Sequence, residues 1–174
     1  MKLMIVAAVS DNRVIGMKDD LLWHMPADLA FFTKTIKNKW ILVGRKSFES
    51  PQGKQLYFGR GKVIVVTLNH DYHSPHTTVA YGVDEALKMG EKLGVEELYI
   101  LGGSEIYKQS IDKADELIIT EIHYEFDGDA FFPIIDSQVW EEYERMIFQP
   151  DLENPYPYSF VRYRRRLSRN KKHH

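Results

Sequence analysis

Four short apolar runs limit the fold of this chain more than any other feature: LMIVAAV (3–9), WILVG (40–44), KVIVVT (62–67) and ELYILGG (97–103). They are rich in β-branched residues and do not alternate apolar with polar positions. Strands of this kind are covered on both faces, as in a mostly parallel sheet packed between helices. Helical patterns lie between them. Segment 26–36 begins with Pro26, which suits the first helical position because that position leaves its N–H unpaired. Segment 84–93 carries Ala86, Leu87, Met89 and Leu93 at helical recurrence, and 104–110 is a short third helix. Alternating strands and helices predict an α/β fold whose ligand clefts open at strand ends.

The later segments differ. ELIITEIHYEF (116–126) mixes polar with apolar positions, and WEEYERMIF (140–148) and YSFVRYRRRL (158–167) alternate plainly. The last two predict an antiparallel hairpin closed by the polar loop QPDLENPYP. We therefore expect a single α/β domain over 1–167. It would hold a mixed, mostly parallel sheet of about eight strands, about four flanking helices and a C-terminal antiparallel hairpin. Residues 168–174 form a basic polar tail, expected to be frayed.

Composition narrows the function classes. The 174 residues carry a net charge of −2, so no global field gathers nucleic acid or membrane, and an anionic ligand needs a local cluster of Lys and Arg. With no cysteine the chain has neither a disulfide scaffold nor thiolate chemistry, which fits a cytoplasmic location. No apolar run approaches the ~18 residues of a membrane span. The start MKLMIVAAVS is followed at once by Asp11 and Arg13, so it is expected to be a buried first strand rather than a signal.

Three stretches carry candidate chemistry. In GRKSFES (44–50) a strand ends in Gly, two cations follow, and a helix begins, which suits phosphate; an ordinary solvated helix start fits equally well. In YILGGSEIY (99–107) two glycines separate a strand from a helix and permit close backbone approach. In LLWHMPADLAFF (21–32), Asp28 falls in the first turn of a helix. The dipole favours a carboxylate there, so a purely structural role is open. Beside Trp23, Leu29, Phe31 and Phe32 it is also a candidate for the one charge of an apolar pocket, with raised proton affinity. NHDYHSPH (69–76) has histidines at spacing three but is broken by Ser-Pro; a loop is expected there, and no metal site.

Taken together, VAAVSDNRVIG (6–16), LWHMPADLAFF (22–32), VGRKSFES (43–50), GRGKVIVVT (59–67), ILGGSEIY (100–107), IITEI (118–122) and EFDGDAFFP (125–133) resemble the dihydrofolate reductase family of the chromosomal, bacterial-like type. The resemblance covers nearly the whole chain. It implies NADPH-dependent reduction of 7,8-dihydrofolate to tetrahydrofolate for one-carbon metabolism, with hydride delivered to C6 and a proton to N5. It implies that Asp28 pairs with the pterin's 2-amino and N3 edge, that Trp23 holds a water near that edge, and that Thr120 bonds Asp28 and the amino group. Val6, Ala7, Leu29, Phe32 and Leu101 would form apolar walls. Ser50, Pro51 and Tyr57 would border the aminobenzoyl part, and Arg60 would bind the glutamate α-carboxylate. Ala8, Ile15, Gly16, Leu21 and Leu101 would meet the nicotinamide end. Gly44, Arg45, Lys46 and Ser47 would bind phosphates, Thr67, Leu68 and Asn69 would line the adenosine side, and Gly102, Gly103, Ser104, Glu105, Ile106 and Tyr107 would complete the diphosphate site. The Gly102–Gly103 peptide is cis in the family. Antifolates such as trimethoprim, a monomeric state, and no nucleic-acid or membrane partner are further implications.

The chain departs from the family pattern at several points. Leu22 stands where the family usually has proline, in a segment, 17–22, that corresponds to the loop closing over nicotinamide. SPQGKQLYFGRGK (50–62) differs from the family norm, which motivates an expectation of antifolate tolerance. Glu105 would have to point away from phosphate. A riboflavin-pathway pyrimidine reductase of the same fold, and a non-catalytic pterin- or nucleotide-binding protein, are the competing readings; the first should lack the Trp23–Asp28 block, and the second would not need the whole set.

Overall fold

The structure, a computed structural model, describes residues 1–16 and 23–167; Leu21, Leu22, the rest of segment 17–22 and the tail lie outside the described residues. In chain order these residues form β1 (Lys2–Ser10), β2 (Val14–Gly16), α1 (Pro26–Ile36), β3 (Trp40–Gly44), α2 (Arg45–Glu49), α3 (Pro51–Leu56), β4 (Val63–Val66) and β5 (Thr78–Ala80). Then follow α4 (Val83–Lys92), β6 (Glu97–Ile100), α5 (Ser104–Ser110), a 3-10 turn (Ile111–Lys113), β7 (Glu116–Ile122), β8 (Ala130–Phe131), β9 (Trp140–Phe148) and β10 (Tyr158–Arg165).

Eight strands join in the order β5-β4-β3-β6-β1-β7-β10-β9. The pairings from β5 through β7 are parallel. β10 runs antiparallel to both β7 and β9, which makes the predicted hairpin. β1 lies in the middle and is apolar from Leu3 to Val9 because both of its faces are covered. Leu3, Ile5, Ala7 and Val9 enter one core, together with Val83 and Ala86 of α4 and Ile106 and Tyr107 of α5. Met4 and Val6 enter the other, with Ile36 of α1, Phe48 of α2 and Tyr57 beyond α3. Strict alternation in a strand thus divides one apolar run between two cores.

The structure adds elements that the sequence pattern leaves out. Segment 51–56 forms α3: Ser50 caps it by accepting the Gly53 N–H at 3.0 Å, and Pro51 takes the first position. A Ser-Pro start is a readable helix signal, but the unusual composition of 50–62 obscures it. β5 is three residues long, too short to show a period. β2 pairs with β8 as a separate two-stranded ribbon. Two strands also end earlier than their apolar runs. β6 stops at Ile100, while the next amide, Leu101 N–H, still bonds the Leu42 carbonyl at 2.9 Å. β7 stops at Ile122, where the His123 N–H turns to the Pro157 carbonyl at 2.9 Å. The stretch 69–76 is irregular, with His70 stacked on Tyr81 at 4.0 Å.

Ile5 is fully buried in the central strand. Replacing it with alanine leaves a cavity between two layers, and Ile5→Ala is expected to lose about 2–5 kcal/mol of stability. A lower guanidinium midpoint at unchanged m-value checks this.

Candidate active site

The C-terminal ends of β1, β3 and β6 meet at a cleft, as expected for an open α/β sheet. Their backbones are tied together there. The Gly44 N–H, at the end of β3, donates to the Gly102 carbonyl at 2.7 Å. The buried Tyr107 hydroxyl donates to the Val6 carbonyl at 2.7 Å. Gly102 has φ +98 and its peptide to Gly103 is cis. A Cβ at Gly102 would lie 2.8 Å from the Tyr107 ring, so glycine is required on both conformational and steric grounds.

Two cavities adjoin at this point and share Lys46, Ser47, Gly103 and Ser104. The first is a space of about 240 Å³ lined by Val6, Ala7, Ala8, Ile15, Gly16, Trp23, Asp28, Leu29, Phe32, Ser50, Tyr57, Leu101, Tyr107 and Thr120. The second is lined by Gly44, Arg45, Thr67, Leu68, Asn69, Glu105 and Ile106. The sequence-derived candidates therefore come together in one continuous cleft. Gly102 lies beneath the lining, Pro51 and Arg60 are not part of it, and Leu21 is outside the described residues. Arg60 is fixed nearby: its Nη2 donates to the carbonyls of Ile36 at 2.8 Å and Lys39 at 3.0 Å. Burial lowers its proton affinity, and the neighbouring Tyr57 partly offsets this.

Asp28 is half-buried in the first turn of α1 and lines the first cavity. Burial raises its pKa from 3.8 to about 6, against hydrogen bonds from Thr120 and Trp23 that favour the charge. The pocket thus holds a carboxyl group that exchanges a proton close to neutrality. Apolar packing surrounds it. Phe31 stacks on Phe160 at 4.1 Å, and Phe32 meets Tyr57 at 6.4 Å. Burial also raises the pKa of Tyr57 and Tyr107, so both stay neutral donors.

At the second cavity, Arg45 Nη1 pairs with Glu49 at 3.0 Å one turn along α2, while Lys46 is exposed. Asn69 N–H donates to Thr67 Oγ1 at 3.1 Å and shapes the turn after β4. Glu105 is exposed and lines the second cavity. Lining residues that the sequence does not single out are His24, Met25, Gln52, Gly53 and Ala130 in the first cavity and Val66, Gly82 and Gln109 in the second. Gln109 is one helical turn from Glu105, a signal that helical spacing carries. Gln52 and Gly53 become visible only once α3 is known.

A family model described as dihydrofolate reductase matches residues 2–165. The chain belongs to the dihydrofolate reductase family. It is 37% identical to the dihydrofolate reductase of Bacillus subtilis over 163 residues, 94% of each chain. It is 36% identical to that of Neisseria meningitidis, covering 95% of this chain and 99% of the relative. A solved dihydrofolate reductase from Enterococcus faecalis, complexed with NADP(H) and RAB-propyl, superposes with a TM-score of 0.83 at 34% identity, covering 94% of this chain and 96% of that one. The reaction of this dihydrofolate reductase fold is NADPH-dependent reduction of 7,8-dihydrofolate to tetrahydrofolate, which serves one-carbon metabolism.

Gly102→Ala combines a positive φ with a clash against Tyr107. A stability loss of about 1–3 kcal/mol is expected from this strain. A lower melting temperature by calorimetry checks it.

Proposed function

We propose that the cleft divides the reduction between its two cavities, with the pterin in the first and the nucleotide in the second. The raised pKa of Asp28 at the only carboxylate lining the first cavity among the described residues carries this assignment. Asp28 pairs with the 2-amino and N3 edge and favours protonation of N5. Thr120 and Trp23 hold its carboxyl group in place, and Trp23 keeps an ordered water near the pterin. Val6, Ala7, Leu29, Phe32 and Leu101 form the apolar walls that exclude bulk water. Ser50, Pro51 and Tyr57 border the aminobenzoyl part, and Arg60, already anchored by two carbonyls, binds the glutamate α-carboxylate.

NADPH supplies the hydride that goes to C6. The residues present fit this cofactor: the cleft floor at Gly44 and Gly103 has no side chains, and Arg45, Lys46, Ser47 and Ser104 stand beside it. Those four hold the phosphates with the backbone of Gly102 to Tyr107. Thr67, Leu68 and Asn69 line the adenosine side, and Ala8, Ile15 and Gly16 meet the nicotinamide. Glu105 is exposed enough for solvent to screen it from the phosphates. We assign residues 1–167 as one catalytic domain of a monomeric, cytoplasmic enzyme without nucleic-acid or membrane partners; the slight net charge, which gathers no polyanion, supports the lack of a nucleic-acid partner, and no described helix is long and apolar enough to cross a membrane. The departure of 50–62 from the family norm at Pro51, Tyr57 and Phe58, with Tyr57 lining the first cavity, supports weak antifolate binding, and a trimethoprim inhibition constant in the ordinary sensitive range would remove that idea.

Turnover is expected to fall as pH rises through about 6, where Asp28 loses its proton. Asp28→Asn is expected to lose about 10²- to 10⁴-fold in turnover at neutral pH and to recover as falling pH protonates the substrate in solution. NADPH oxidation with dihydrofolate measures both, and full activity of the variant at neutral pH would sink the role given to Asp28.

The same variant is expected to be more stable. The folded pKa of Asp28 lies above its ordinary 3.8, at about 6. Its contribution to stability is therefore full below the ordinary value and is lost as pH rises through about 6. At pH 7 the wild type carries a charge that burial disfavours, and the amide does not, so Asp28→Asn should melt higher at pH 7 and lose this advantage near pH 4. Calorimetry at the two pH values checks the sign.

A further inference from the structure

Helix α1 begins without a cap of its own. Met25 occupies the N-cap position in extended backbone, and its thioether makes no capping bond. Pro26 removes one of the free donors of the first turn. The next donor, the Ala27 N–H, bonds Asn154 Oδ1 at 3.0 Å. Asn154 lies between β9 and β10, far along the chain, and is only 4% exposed. Its other polar atoms are also committed. Nδ2 donates to the two carboxylate oxygens of Asp151 at 3.0 and 3.2 Å, and its backbone N–H donates to Asp151 Oδ1 at 2.8 Å. The Asp151 N–H returns to the Asn154 carbonyl at 2.9 Å. A closed turn therefore aims one buried amide oxygen at the start of α1.

The same connection supports Trp23. Tyr156 meets Phe126 at 5.1 Å, and Phe126 lies 5.2 Å from the Trp23 ring. Residues 23 and 27 flank the stretch that leads into Asp28; Ala27 bonds the β9–β10 connection directly and Trp23 reaches it through Phe126.

We propose that Asn154 is a positioning residue for Asp28: by capping α1 at Ala27, one residue before the acid, it holds the carboxylate against Thr120 and Trp23. This rests on the assignment of Asp28 as the proton-managing acid. The physical reason is the rigidity of the first helical turn. With the Ala27 N–H bonded, the turn is closed and Asp28 projects along a fixed direction. Without the bond, the turn frays and the carboxyl drifts from partners on β7 and ahead of the helix. Thr120, Trp23 and Tyr107 interact with Asp28, and the other titratable groups that line its cavity are Tyr57, His24 and Lys46. An Asn154 substitution changes none of them directly, so an altered pH midpoint reports movement of Asp28 among them.

The test is the pH profile of single-turnover hydride transfer from NADPH to dihydrofolate, with melting temperatures recorded beside it. The variants are Asp28→Asn, Asn154→Ala, Asn154→Asp, and Asn154→Asp combined with Asp151→Asn. The combined variant keeps an acceptor opposite the Ala27 N–H and a side-chain bond to position 151, with donor and acceptor exchanged. Asn154→Ala is expected to slow transfer about ten- to hundredfold, the scale of a small misplacement. Its midpoint should rise by about half a unit or more, because bonds that favour the charge are lost while burial stays. The NADPH dissociation constant should not move, and the combined variant should restore both rate and midpoint. An Asn154→Ala enzyme with wild-type rate and midpoint, even at a lower melting temperature, would overturn the proposal and leave Asn154 a structural cap. Should Asn154→Ala not fold, Asn154→Asp decides: repulsion from Asp151 should slow transfer and the added Asp151→Asn should rescue it, whereas equal rates in the two overturn the idea. The two assignments separate cleanly. Full transfer by Asp28→Asn at neutral pH removes the acid and the positioning with it, while a crippled Asp28→Asn beside an unaltered Asn154→Ala removes only the positioning.

Discussion

The double-sided burial of β1 is the constraint on which the rest of the structure depends. Its alternate residues serve two cores, so helices must cover both faces of the sheet. Parallel pairing to β6 and β7 fits this, since α5, which helps cover one face, also carries the chain from β6 back to β7. That arrangement brings the ends of β1, β3 and β6 to one edge, where short helices begin. The ends cannot be packed shut, because glycines at 44, 102 and 103 present backbone rather than side chains. The Tyr107 hydroxyl bonded to the Val6 carbonyl ties the cleft floor to the central strand. Ala7, Ala8 and Thr120 are lining residues because their strands sit side by side, with Ala8 opposite Thr120.

Two electrostatic settings lie along the cleft. Asp28 is enclosed, so burial outweighs the bonds that favour its charge and the group keeps its proton toward neutrality. The second cavity carries Arg45 and the exposed Lys46 at its lining, with Arg45 sharing its charge with Glu49. A protein of slightly negative net charge can hold an anion in this way, because the positive charge is local. Arg60 is intermediate: its hydrogen bonds to two carbonyls orient it before any ligand arrives.

The limits of the sequence reading are physical ones. The continuous apolar runs identify β1, β3, β4 and β6, because burial on both faces removes every polar position. The alternating runs identify the hairpin for the opposite reason. The Ser50-Pro51 cap signals α3, yet the helix lies in a stretch whose composition resembles a loop. β5 has too few residues for any period to show. β7 was expected to run to 126, but the apolar and aromatic residues after Ile122 serve a cluster around Phe126, Tyr124 and Tyr156 rather than the ladder.

By itself, the sequence determined the longer strands of the main sheet, and that Asp28 stands at the start of a helix among apolar neighbours. These properties are local: they depend on periodicity, on caps and on side-chain chemistry within a few residues. Only the tertiary structure decided that Asp28, in the first turn of its helix, also lines a cavity, where burial raises its proton affinity against the hydrogen bonds of Thr120 and Trp23. Only the tertiary structure placed Gln52 and Gly53 in the cleft and Asn154 at the start of α1. That last bond joins residues 127 positions apart, and no local pattern encodes a contact that the folded sheet must first bring within reach.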